Sequence, residues 1–256
     1  MSNNEIKSLQ EKLYKMLIQL DIILKENKIE YYLIGGSALG AVRHKGFIPW
    51  DDDIDIGLFR NDFEKMEKIL SCCNLEEMKY CKIGENIIQN APIGYLYNIS
   101  DKNQDIKNVP TIDIFPIDGV PKNKILRKIQ KGTSLIYHLS VSQLEAQNRG
   151  EIIKIISKVI LKITPKIMFS FYQKICKKII TNWNIEKTND CANIFGQARY
   201  EKEIMPKKYL GKPKHIKFED GMFPVPELTH EYLKHLYGDY MRLPEEKDRR
   251  PKHKKI

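Results

Sequence analysis

Two short stretches, Ile54-Asp55-Ile56 and Ile112-Asp113-Ile114, set the strongest limit on how this chain can fold. In each, a carboxylate sits between large aliphatics at a period of two, the pattern of a strand and not of a helix. Alternate side chains share a face. In residues 50–59 (WDDDIDIGLF), Asp53 and Asp55 therefore project together while Ile54 and Ile56 enter a core. A solvated acidic loop has no reason to hold those isoleucines. An EF-hand loop on Asp51, Asp53 and Asp55 fails because Ile56 stands where its glycine is needed.

The remaining elements follow from period and punctuation. Ile6, Leu9, Leu13, Met16, Leu17, Leu20, Ile23 and Leu24 mark an amphipathic helix. Tyr31–Ile34 reads as a buried strand ending in a tight turn at Gly35-Gly36. Asn61 and Glu64 form a capping pair that opens a helix with Phe63, Met66, Ile69 and Leu70 on one side. Residues 93–99 and 109–115 read as strands, the second ended by Pro116 and Asp118-Gly119. Residues 122–182 are mainly helical, with breaks near Gly132, Gly150 and Pro165. Ile216–Phe218 and Met222–Val225 make a hairpin around Asp220-Gly221. A last helix carries Tyr232, Leu233, Leu236, Tyr237 and Tyr240, broken at Gly238.

Composition narrows the function classes. At 42% apolar and 30% charged over 256 residues, the chain is neither a disordered tail nor a membrane-embedded protein. It has no run of 18 apolar residues, and Glu5, Glu11 and Asp21 interrupt any signal-peptide core. Five cysteines (Cys72, Cys73, Cys81, Cys176, Cys191), with no C-x-x-C pair, fit a reducing compartment, so a cytoplasmic location is expected. The net charge of +10 is local: residues 122–182 hold 13 Lys or Arg against Glu145 and Glu151, more than the whole chain's excess. A near-neutral body with one basic segment does not point to nucleic acid. In that segment Lys154, Lys158, Lys162 and Lys166 recur every four residues, extended by Lys174, Lys177 and Lys178. Such a stripe belongs either to a helix that covers the core or to one that lies on an anionic membrane at the inner face of the cell.

The chemistry concentrates on three carboxylates. Asp53, Asp55 and Asp113 can converge on one hard cation, Mg²⁺ or Mn²⁺, and without one they would repel. Gly35, Gly36 and Ser37 suit a phosphate-binding turn, with close backbone approach and a hydroxyl donor. Arg43, His44 and Lys45 place positive charge near such phosphates, and Trp50 is either a stacking platform for a base or sugar or a core residue.

Three separated blocks then become recognisable: IGGSALGAVRHKGFIPWDDDIDIGLFRNDFEKM, TIDIFPIDGVP at 111–121, and FEDGMFPVP followed by YLKHLYGDYMRLPEEK at 218–247. Together they resemble the LicD-type phosphotransferase family, similar to fukutin-related proteins and part of the nucleotidyltransferase-fold group. The resemblance implies an α+β fold, a nucleotidyltransferase-like mixed sheet flanked by helices, with a mainly helical insertion and a C-terminal hairpin-helix segment. Residues 1–121 would be the catalytic core and 211–256 a hairpin, helix and charged tail packed on it. Residues 122–210 match none of the family's blocks, and their pattern makes them a mainly helical, basic segment expected to serve acceptor or membrane docking. The resemblance implies Asp53 and Asp55 as the D-x-D pair, Asp113 as the third acid, and Gly36-Ser37 as the phosphate turn. It also implies a CDP-activated alcohol as donor and a sugar acceptor, with CMP released. Arg249, Arg250 and His253 loosely resemble a basic pattern at the family's tail. Two competing readings are a nucleotidyltransferase adding a nucleotide to a small acceptor or RNA, and a non-catalytic scaffold for glycan assembly.

Overall fold

The computed structural model describes residues 3–73, 75, 77–83, 85, 92–99, 109–144, 151–196 and 200–251. Helix α1 (Asn3–Glu26) leads into β1 (Tyr32–Leu33), α2 (Gly35–Arg43), β2 (Ile54–Phe59) and α3 (Arg60–Cys72). Strands β3 (Met78–Cys81), β4 (Gly94–Asn98) and β5 (Thr111–Val120) follow, then helices α4 (Lys124–Ser142), α5 (Glu151–Ile163) and α6 (Lys166–Ile180). The chain continues through β6 (Asp190–Ala192), α7 (Tyr200–Glu203), β7 (Ile204–Pro206), the hairpin β8 (Lys214–Phe218) and β9 (Gly221–Val225), and α8 (Thr229–Tyr237). The fold is α+β, as expected.

The main sheet runs β1-β2-β5-β4-β3, with β6 pairing on the C-terminal part of β5 and β7 on β6. Strands β2 and β5 are parallel and central; β1 and β4 flank them antiparallel. Period-two alternation divides the sheet cleanly. Ile54, Ile56, Leu58, Ile112 and Ile114 are fully buried against the leucine face of α1, Phe63 and Met66 of α3, and Phe218, Phe223 and Val225 of the hairpin. On the other face Tyr95, Tyr97, Phe115 and Ile117 meet Ala38 and Leu39 of α2 and Tyr232, Leu233 and Leu236 of α8. Register pairs share a face, so Asp55, Asp113 and Tyr95 form a row across β2, β5 and β4 on the α2–α8 side.

Several local expectations are corrected. Gly35-Gly36 does not close a tight turn; it opens α2, whose run of small residues lets the helix lie close to the sheet. Helix α3 starts at Arg60 with no side-chain cap, so Asn61 and Glu64 are not its capping pair. Strand β5 runs through Pro116 to Val120. The register explains this: β4 pairs only as far as Ile114 and β6 begins at Asp118. Pro116 thus sits where one edge of β5 has no partner, the setting in which a sheet tolerates a missing N–H. Gly132 does not break α4, whereas Pro165 does separate α5 from α6. In the hairpin, Phe218 pairs with Gly221, so its turn is Glu219-Asp220. The break at Gly150 lies outside the described residues. Residues 122–210 are mainly helical but also supply β6 and β7 to the main sheet. All five cysteines are free thiols.

Candidate active site

The parallel register sets Asp55 directly beside Asp113, a strand spacing apart. Asp53 precedes the first residue of β2 and curls toward the same point: carboxylate oxygens of Asp53, Asp55 and Asp113 all lie within 4.8 Å of one another. The same closeness holds for Asp51, Asp52 and Asp53, so the two groups meet at Asp53. Asp113 is 4% exposed, and its Oδ1 has no hydrogen-bond partner among the described residues. Burial raises the pKa of Asp55 well above the carboxylate range, followed by Asp53, Asp113 and Asp51, against a hydrogen bond from the Gly36 N–H. Burial likewise raises Asp113, with Asp53 and Asp52 adding and the Thr111 hydroxyl opposing. Such a group is stable only with protons or a cation among the acids.

Helix α2 begins against this cluster. A Cβ on Gly35, whose φ is +53°, would lie 2.8 Å from Asp55 Oδ2, and one on Gly36 would lie 3.0 Å from Asp51 Oδ2. Both glycines therefore let the carboxylates reach the helix N-terminus, whose partial positive charge favours them. The Gly35 N–H donates to the Tyr232 hydroxyl at 3.0 Å. Ser37 is buried, and its Oγ accepts from the Asp55 N–H at 2.8 Å. As placed here, the three residues assigned to phosphate by their sequence hold the acid strand and α8 instead. Binding a phosphate would require them to exchange those partners.

Arg43 and His44 also take a different form from the sequence expectation. Arg43 Nε donates to His44 Nε2 at 2.9 Å, and Arg43 Nη1 donates to the carbonyl of Tyr240 at 3.0 Å. Burial lowers the His44 pKa and the adjacent guanidinium lowers it further, so His44 is neutral at pH 7 and brings no positive charge to the site. Arg43 keeps its charge, faces Asp51, and ties α2 to the chain after α8. Trp50 packs between the His44 ring, edge-on at 6.4 Å, and the Arg249 guanidinium at 5.8 Å. Arg250 Nε donates to the Lys247 carbonyl, and His253 lies outside the described residues.

The loop that delivers the acids is clamped from both ends. Gln10 of α1 donates to the carbonyls of Ile48 at 3.1 Å and Asp51 at 2.9 Å. Glu219, at the hairpin turn, accepts from the Phe47 N–H at 2.9 Å and donates its own N–H to the Lys45 carbonyl. Neither contact was visible in the sequence, where Gln10 is one more polar residue on a helix.

Three tyrosines complete the surroundings. Tyr95 is the β4 neighbour of Asp113; its hydroxyl is buried without a partner among the described residues, and burial followed by Asp113 raises its pKa. Tyr232 is raised chiefly by burial, with Asp55 among the minor causes. Tyr237 is 45% exposed, yet burial, then Asp55, Glu203, Asp51 and Asp53, raises its phenol pKa, so those carboxylates act on its hydroxyl. Tyr232 and Tyr237 lie within a motif block picked out by resemblance, but nothing in their spacing assigns them to this cluster.

An all-oxygen set of buried and half-buried carboxylates beside a helix N-terminus can hold a hard divalent cation and, through it, a polyphosphate. Comparison with known proteins gives the family. A family model described as "LicD/FKTN/FKRP, nucleotidyltransferase domain" matches residues 28–141, which span β1 to α4 and include all three acids. The ribitol 5-phosphate transferase FKRP of Homo sapiens is 43% identical over 47 residues, 18% of this chain and 10% of that protein. An uncharacterized protein of Rickettsia prowazekii is 33% identical over 108 residues, 41% of this chain and 40% of its own. The lipopolysaccharide cholinephosphotransferase LicD of Haemophilus influenzae is 32% identical over 234 residues, 88% of this chain and 87% of that protein. With likeness on that scale covering most of both chains, this chain belongs to the LicD phosphotransferase family.

Proposed function

We propose that the protein transfers a phospho-alcohol, phosphocholine or a close analogue, from a CDP-activated donor to a sugar hydroxyl of a cell-surface glycan (capsule, teichoic acid or lipopolysaccharide), releasing CMP. The observation that carries this reading is the convergence of Asp53, Asp55 and Asp113, with a buried, unpartnered oxygen on Asp113. That donor set fits Mg²⁺, with Mn²⁺ as a substitute, and a binding module would have no use for it. When bound, the ion would neutralise charge on the donor's pyrophosphate.

The chain's own residues account for the rest. The acceptor hydroxyl attacks the distal phosphorus in line, the bond from that phosphorus to the CMP oxygen breaks, and CMP carries away the electron pair. Asp113 takes the hydroxyl proton. The Arg43 guanidinium, facing Asp51 at the edge of the acids, offsets negative charge on the departing phosphate. Gln10, Ser37 and Glu219 hold the acid loop in place, so little reorganisation is needed at the moment of transfer. We place the protein on the cytoplasmic side, meeting a lipid-carried sugar at the inner face of the plasma membrane. No helix among the described residues is long and apolar enough to cross that membrane.

The test is a panel of CDP-alcohols (choline, ethanolamine, glycerol, ribitol) and CTP, each with Mg²⁺ and a glycan acceptor. CMP release from one CDP-alcohol supports the proposal. Pyrophosphate release from CTP, or no turnover of any CDP-alcohol, overturns it.

A further inference from the structure

The helices after the catalytic sheet leave an apolar surface that nothing among the described residues covers. On α6, Phe169, Cys176 and Ile180 are buried, and the latter two join Tyr137 and Val141 of α4 in one cluster. The opposite side of α6 presents Ile167 (81% exposed), Phe171 and Ile175 at a spacing of four. On α5, Ser157 is buried while Ile155, Val159 and Ile163 (71% exposed) form a second stripe, again every four residues. At 100° per residue, Lys154, Lys158 and Lys162 lie immediately beside the α5 stripe, and Lys174 and Lys178 beside the α6 stripe. Over residues 151–182 the sequence holds seven lysines and a single acid, Glu151.

We infer that α5 and α6 form a docking surface for an anionic phospholipid bilayer. The two stripes ask for different things, and a bilayer interface meets both: acyl chains take up Ile155, Val159, Ile163, Ile167 and Phe171, while the adjacent lysines reach lipid phosphates. A second copy of this chain would set lysine against lysine. A nucleic acid would meet the lysines but leave the isoleucines in water. The 13 residues of α5, about 20 Å long, suit a helix lying in the interface plane. This deepens the reading of a lipid-carried acceptor, yet it is tested without donor or acceptor, so either can fail alone.

The experiment is co-sedimentation of the full chain with vesicles of phosphatidylcholine alone or phosphatidylcholine mixed with phosphatidylglycerol. Binding is expected to the mixed vesicles at low salt, to weaken as salt rises, and to be absent from phosphatidylcholine alone. Each of Lys154→Gln, Lys158→Gln and Lys162→Gln should weaken partitioning about fivefold. The triple change Ile155→Ser, Val159→Ser, Ile163→Ser should abolish it with an unchanged circular dichroism spectrum. Phe171→Ser, a single exposed change, serves if the triple variant does not fold, and should weaken binding severalfold. No binding to the mixed vesicles overturns the inference. So does binding indifferent to the serine changes, which would mean simple adsorption of charge. Self-association lost in the same serine variants would mean that a second copy covers the face, and would overturn it too.

Discussion

Replacing Asp113 by Asn should make the metal-free protein more stable while removing its activity. Asp113 is buried beside Asp55 and Asp53, with oxygens of all three within 4.8 Å of one another. Two unit charges at that distance repel by about 3 kcal/mol at an effective dielectric constant of about 20. Linkage gives an independent ceiling. Folding raises the Asp113 pKa above its ordinary 3.8. At about 1.4 kcal/mol per pH unit between that value and pH 7, the folded state loses at most about 4 kcal/mol. Asparagine keeps the shape and sheds the charge, but its buried amide has a desolvation penalty of its own. A net gain of about 1–3 kcal/mol is expected, a rise in Tm of roughly 2–10 °C. The sign with pH is definite. A raised carboxyl pKa contributes stability that is complete below about 3.8 and is lost as pH rises through the folded value. The advantage of Asp113→Asn should therefore vanish near pH 4 and widen toward pH 7. Thermal unfolding in chelator, followed by circular dichroism at several pH values, reads this directly. Adding Mg²⁺ should raise the wild-type Tm and leave the variant nearly unmoved. CMP release should fall by about 10²–10³. A variant less stable than wild type in chelator at pH 7, or a difference that does not change with pH, would refute the repulsion argument.

Other consequences are simpler. Gly35→Ala puts a Cβ 2.8 Å from Asp55 Oδ2 at a φ of +53°. It should destabilise the fold by about 1–2 kcal/mol in urea titration and weaken Mg²⁺ binding by calorimetry. Tyr237→Phe removes a hydroxyl whose pKa the acids raise; kcat should drop about tenfold with Tm within about 2 °C of wild type, whereas a purely packing role would leave kcat alone. Arg60 Nε and Nη2 hold both oxygens of Asp118 at 2.8 and 2.6 Å, joining the start of α3 to β5. Arg60→Ala strands a buried carboxylate and should cost about 3–5 kcal/mol in chemical denaturation, with Arg60→Met, Asp118→Leu recovering much of it.

What could be read from residues alone follows from which forces act locally. The two Ile-Asp-Ile stretches declare their strands because period two is a local property, and their parallel pairing then puts Asp55 and Asp113 side by side. Helix α2 was missed for the opposite reason. Gly35-Gly36 has the propensity of a turn, and the helix exists because Ala38, Leu39 and Ala41 pack on the sheet while Asp55 and Ser37 engage its first turn. Propensity yields to tertiary contact there. Strand β5 outran its expected end because Pro116 breaks a strand only where a partner needs its N–H, and that depends on where β4 stops.

The site shows the same division at higher stakes. Three carboxylates were legible, but their supports come from distant segments: Gln10 from α1, Glu219 from the hairpin, and Tyr232 and Tyr237 from α8. His44 illustrates why charge cannot be assigned from residue type. Next to Arg43 its side chain accepts a hydrogen bond through Nε2, which only the neutral ring can do, and burial pushes in the same direction. The pair therefore carries one positive charge, on Arg43, and that charge is fixed to the backbone after α8. The C-terminal segment is thus bound to the site through Tyr232 on Gly35 and through Tyr240 on Arg43. Loss of α8 should loosen the acid cluster even though α8 supplies no carboxylate to it.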